Sequence, residues 1–108
     1  MKTTIDKYIT QKVIEKREEA GITQEELSHM LGLATGSTFV SQTENTGKGK
    51  YNIYHLNELA KIFDCDIADF LPRPHQAENS LKEYREYIAE SKRKAKEERE
   101  AKAKTKKK

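Results

Sequence analysis

Between Thr23 and Asn45 the sequence reads TQEELSHMLGLATGSTFVSQTEN, and its second half gathers Ser37, Thr38, Ser41 and Gln42. Hydroxyls and a carboxamide offer both donors and acceptors. Carried on one outward helix face, they suit the edges of bases in a DNA groove. A helix beginning near Ser37 would turn Val40 inward, with Thr43 and Glu44 beside it, while Thr38, Gln42 and Asn45 point the opposite way. Phe39 falls at the edge between the two faces, as a core filler or as a ring against thymine methyl groups. After Asn45 the run TGKGKYN places Lys48 and Lys50 where phosphate would lie beside such a helix, unless the loop is simply a solvated turn.

Other chemistry finds no support. His29, His55 and His75 stand apart, with no second ligand at metal-binding spacing, so no metal site is expected. Ser37 and Ser41 have no base nearby in sequence. No glycine-rich phosphate loop follows a strand. The pattern implies neither an enzyme nor a cofactor.

The elements that must position the polar stretch are helical. Thr23 and Glu26 have the spacing of a capping box, and Leu27, Met30 and Leu31 form one apolar stripe ending at Gly32. An earlier helix is expected over Asp6–Ala20, with Ile9, Val13 and Tyr8 inward, Gly21 as its stop and Met1–Thr4 frayed. Asn52 caps a further helix whose core side is Ile53, Leu56, Leu59, Ala60 and Phe63. Asp64 suits a left-handed residue after it. Asp66 and Asp69 open a last short helix that buries Ile67, Phe70 and Leu71 and stops at Pro72. Cys65 reads as a small buried hydrophobe.

The runs REEAGITQEELSHMLGL, FVSQTEN and LNELAKIFDCDIADFL, from Arg17 to Leu71, are similar to those of the Xre / lambda-repressor-like (Cro/repressor-type) helix-turn-helix family. The resemblance implies an all-α fold, a compact five-helix bundle with its third helix in the DNA major groove. By position it implies that Ser37, Thr38, Ser41 and Gln42 face bases, that Gln24, Asn45 and the loop lysines hold phosphate, and that Arg17 pairs with Glu44. Gly32 to Glu44 is longer than is usual in the family, and the extra length is assigned to Leu33–Gly36. Lys16 and Thr43 stand where the family prefers aliphatic residues.

The chain of 108 residues is 34% hydrophobic and 36% charged, enough for one modest core. No apolar run could span a membrane and no signal-like segment opens the chain, so a cytoplasmic, nucleoid-associated protein is expected. Residues 1–72 are assigned to the helix-turn-helix domain, 73–79 to a linker, and 80–108 to a charged helical segment with a frayed, lysine-rich end. Leu81, Tyr84, Tyr87 and Ile88 make a short apolar stripe that could meet the same domain, a second copy or another protein through residues 80–90. The net charge of +3 is uneven, with ten basic against three acidic residues over 92–108 and eleven against fifteen before them. The basic end could be solvated, could grip phosphate, or could touch a protein or membrane surface. The function expected is a sequence-specific regulator of double-stranded DNA, a repressor or antitoxin-like autoregulator, dimeric on a palindromic site. The acidic body leaves an alternative, the same fold used as a protein-bridging adaptor without DNA readout.

Overall fold

In the structure, a computed structural model describing residues 3–106 and the side chains of residues 3–103, the chain is all-helical. Its α-helices are α1 (Thr4–Glu19), α2 (Gln24–Met30), α3 (Phe39–Asn45), α4 (Ile53–Phe63) and α5 (Ser80–Lys106), with a 3-10 turn at Ile67–Phe70 between α4 and α5. Among the described residues no helix is long and apolar enough to cross a membrane.

Local hydrogen bonding fixes most boundaries. The Thr23 hydroxyl accepts from the Glu26 amide at 3.0 Å, and Glu26 accepts in return from the Thr23 amide at 3.3 Å. Gly32 (φ 77°) and Asp64 (φ 53°) take the left-handed conformations that end α2 and α4. The start of α1 lies earlier than expected. Thr3 is buried and accepts from the Asp6 amide at 3.2 Å, so Thr3 and Thr4 cap and open the helix rather than fray; Met1 and Lys2 lie outside the described residues. Glu83 of α5 seals this end, taking the Thr4 hydroxyl at 2.6 Å and its amide at 3.3 Å. A carboxylate there also complements the partial positive charge of the helix N-terminus.

The core joins Ile9 and Val13 of α1, Leu27 of α2, Val40 of α3, Tyr51, Leu56, Leu59 and Ala60 around α4, and Phe70. Two residues expected inside are not there. Met30 is 48% exposed and Ile53 is 54% exposed, because one closes α2 and the other opens α4, beyond the reach of the neighbouring elements. The expected fifth helix of the bundle is a single 3-10 turn, held where the Asp66 amide donates to Asp69 Oδ2 at 3.0 Å. That hydrogen bond is the main reason the Asp69 carboxyl lies below its usual range. Cys65 is partly buried against the core, and burial pushes its thiol up.

Beyond Ile88, α5 continues unbroken to Lys106, although residues 91–103 are all exposed. Ala, Glu and Lys favour helix without a partner, and Glu90 and Lys94 add an ion pair at 3.4 Å. The expected fraying is therefore not seen before Lys106; Lys107 and Lys108 lie outside the described residues. The radius of gyration is 16.8 Å. A spherical domain of this length would have about 13 Å, and the excess comes from the projecting helix.

Candidate nucleic-acid interface

The polar stretch forms the outer side of α3, with a later start than expected. Gly36 is left-handed (φ 81°), and the Ser37 hydroxyl accepts from the Phe39 amide at 3.3 Å, so a local turn consumes the residues before the helix. The extra length falls in the turn after Gly32. Helix α3 begins at Phe39 rather than near Ser37, with Thr38 in the N-cap position and making no side-chain cap bond. Thr38, Gln42 and Asn45 are exposed along one edge. Ser41 is partly covered and donates to the Thr38 carbonyl at 3.1 Å. Ser37 and Ser41, with Gln24, Ser28, His29 and Thr35, line an open crevice of about 320 Å³ between α2 and the turn.

The inner side of α3 is closely held. Val40 and Thr43 are fully buried, and the Thr43 hydroxyl donates to the Phe39 carbonyl at 2.7 Å. Arg17 grips Glu44 with two bonds, Nε to Oε2 at 2.8 Å and Nη2 to Oε1 at 2.9 Å, while Nη1 donates to the Ile22 carbonyl at 2.8 Å. Within the bundle, Gln24 donates its amide to Glu44 Oε1 at 2.9 Å and to Asn45 Oδ1 at 3.3 Å. The carboxylate thus gathers donors from α1 and α2, and ties the end of α3 to both. With its oxygens satisfied in this way, Glu44 holds the Arg17 guanidinium even more firmly in its charged form.

Phe39 belongs to the core side. Its partly buried ring packs edge-on to Tyr51 at 5.6 Å between centroids and lies over His55 at 4.8 Å. The Tyr51 hydroxyl is buried without a hydrogen-bond partner among the described residues. Burial, reinforced by the charge of Glu44, drives that phenol far above its usual range. The loop glycines also act inward. Gly47 ends α3 in a left-handed turn (φ 71°), and a Cβ at Gly49 would stand 2.5 Å from Thr43 Oγ1 and 3.2 Å from the Phe39 ring. Glycine at 49 lets the loop lie directly on α3. Lys48 is exposed, whereas Lys50 stretches over Tyr84 and Tyr87 of α5, its ammonium 5.1 and 5.6 Å from their ring centres. Sequence reasoning found neither the Gln24 strut nor the Lys50 contact, because both join residues remote in sequence.

His55 backs α3 in its neutral form. Its Nδ1 accepts from the Asn52 amide at 3.0 Å, its own amide donates to Asn52 Oδ1 at 3.0 Å, and burial pulls its pKa down. A histidine with a lowered folded-state pKa binds fewer protons folded than unfolded, so it contributes stability that is complete above the unfolded value near 6.5 and is lost as pH falls below it. We expect the urea midpoint to drop between pH 7.5 and 5.5, and the drop to shrink in His55→Gln. Parallel pH profiles for the two proteins would show that this cap does not titrate.

A sequence model described as a Cro/C1-type HTH DNA-binding domain matches residues 4–75, two thirds of the chain. The chain belongs to this family. The Cro/C1-type domain therefore contains the whole bundle from α1 through the 3-10 turn, including the exposed edge of α3. A chain from a solved SinR protein/SinI protein complex shares the fold, with a TM-score of 0.51 at 20% identity over 82% of this chain and 98% of that one. No curated protein sequence matches this chain.

Proposed function

We propose that the chain is a sequence-specific, double-stranded-DNA-binding regulator, a repressor or antitoxin-like autoregulator, that reads bases from the major groove with α3. One observation carries this reading: Thr38, Gln42 and Asn45 form an exposed polar edge on a helix whose other side is clamped by Val40, Thr43 and the Arg17–Glu44 pair. A side chain reads a base with useful discrimination only when its backbone is held still. In this reading Ser37 and Ser41, which line the crevice, add contacts at the groove wall, while Lys48 and Asn45 hold phosphate. A helix as short as α3 spans few base pairs. Two copies on a two-fold symmetric site, with half-sites about 34 Å apart, would supply the selectivity that one copy lacks.

The test is selection from a random duplex library, followed by Gln42→Ala. An enriched sequence is expected, and Gln42→Ala should weaken binding to it by about 1–3 kcal/mol, or roughly 5- to 150-fold, with preference relaxed at one base position. Because Gln42 is exposed, the variant should melt like the parent. Parental affinity in Gln42→Ala would remove α3 from the reading. Salt-labile binding with no enriched sequence would favour the protein-bridging adaptor, the reading supported by the acidic body and by Leu81 and Tyr84, which are 57% and 45% exposed.

A further inference from the structure

We propose that α5 is a rigid arm whose one basic face follows the phosphate backbone of DNA flanking the site, a surface additional to α3 and resting on the DNA-binding reading above. The first observation is how the arm is mounted. The Thr4–Glu83 bonds fasten its first turns to α1, and Tyr84 and Tyr87 lie on Lys50, in the loop that directly follows α3. The arm therefore leaves the body beside the loop that follows the reading helix, as one unbroken helix. From Ile88 to Lys106 it rises about 27 Å, the span of about eight phosphates along one strand.

The second observation is the distribution of charge around it. At 100° per residue, Leu81, Tyr84, Arg85, Ile88, Lys92, Lys96, Arg99 and Lys102 share an arc of about 120°. Every acidic residue of α5 (Glu83, Glu86, Glu90, Glu97, Glu98 and Glu100) falls outside that arc. The mounting contacts of Glu83 and Tyr87 lie outside this arc, so the face stays open to solvent: it carries the exposed Leu81 and Tyr84 near the body and is basic where the helix projects. Among the described residues none of Lys92, Lys96, Arg99 and Lys102 forms an ion pair, whereas Lys94, off the face, is taken by Glu90. Scattered lysines for solubility would not leave one face free of carboxylate along the whole helix.

The chemistry of the face selects its partner. Past Ile88 it carries no apolar side chain larger than alanine, so it lacks the hydrophobic side by which a helix lies in a membrane surface or a protein groove. Unpaired lysine and arginine at helical spacing suit a regular polyphosphate. The arm also supplies the positive charge that the acidic body withholds, and phosphate neutralisation provides most non-specific affinity.

The full-length chain can be titrated against two duplexes, one covering only the selected site and one extended by about one helical turn, roughly 10 base pairs, on each side. The extended duplex should bind more tightly, with a steeper fall of log affinity against log salt. Lys96→Gln with Arg99→Gln should abolish that advantage and reduce the slope by about 2 per chain. Arg93→Gln with Lys94→Gln removes the same charge off the face and should change neither. Equal losses in the two pairs would mean net charge alone and overturn the arm, as would equal binding of the two duplexes by the parent. Stronger capture by phosphatidylserine vesicles than by DNA of equal phosphate concentration would also overturn it, in favour of a membrane role. If selection enriches no sequence, the same comparison on random duplexes still tests the arm, since the choice of bases and the dependence on length are separate readouts.

Discussion

Replacing Arg17 with methionine is expected to lower folding stability by about 3–5 kcal/mol, a large share of what a small domain possesses. The Glu44 side chain is 3% exposed and that of Arg17 is 14% exposed, so water can replace neither partner of the bidentate pair. Loss of the guanidinium strands a buried carboxylate with one side-chain donor, the Gln24 amide, and orphans the Ile22 carbonyl as well. Arg17→Lys should recover only part of the loss, because an ammonium cannot bond both carboxylate oxygens and Ile22 from one plane. Arg17→Met with Glu44→Leu should be far less damaging than Arg17→Met alone, since an apolar pair leaves no uncompensated charge. Urea midpoints with m-values for these variants provide the measurement. A loss below about 1 kcal/mol in Arg17→Met would place the pair with exposed ion pairs, and would mean that α3 is not held by it. Because Glu44 closes α3, the same variant should also weaken selection of DNA sequence, at temperatures where it remains folded.

What could be read from the residues alone depended on how far apart the interacting groups stand in the chain. The Thr23–Glu26 box, the Asn52 cap and the left-handed Gly32 and Asp64 all involve residues within one helical turn, and each is where the spacing put it. Periodicity placed Ile9, Val13, Leu27, Val40, Leu56, Leu59 and Phe70 in the core. It failed at Met30 and Ile53, because it assumes that a helix is covered along its full length. The Arg17–Glu44 pair was accessible only through resemblance to a family, since nothing in local sequence joins positions so distant. The bond from the Gln24 amide to Glu44 was implied neither by local sequence nor by that resemblance. The start of α3 was misjudged by two residues because Ser37 satisfies the Phe39 amide in a local turn, a competitor that hydrophobic patterning does not register. The stripe of Leu81, Tyr84, Tyr87 and Ile88 left packing on the same domain open as one alternative, but nothing in the sequence named Thr4 and Lys50 as the partners.

Phe70→Ala should also cost about 3–5 kcal/mol, yet leave the chosen DNA sequence unchanged. Phe70 is the largest of the fully buried side chains, and it comes from the 3-10 turn, the shortest element of the bundle. So short a turn has little stability of its own, so its place depends on the ring it inserts and on the Asp66–Asp69 bond with Arg73 at 2.8 Å beyond. The cavity left by alanine would be capped by Lys16, whose ammonium stands 5.8 Å from the ring centre and cannot fill apolar space. Phe70→Leu keeps most of the volume and should cost much less. The two deletions then separate what stabilises the bundle from what aims its reading helix. Arg17 sits between α1 and α3, so its loss alters both stability and readout; Phe70 packs behind α1 and α4, so its loss should lower the melting temperature and spare discrimination measured below it. An altered base preference in Phe70→Ala would mean that α3 takes its orientation from the whole core, and that the Arg17–Glu44 clamp is only one contributor.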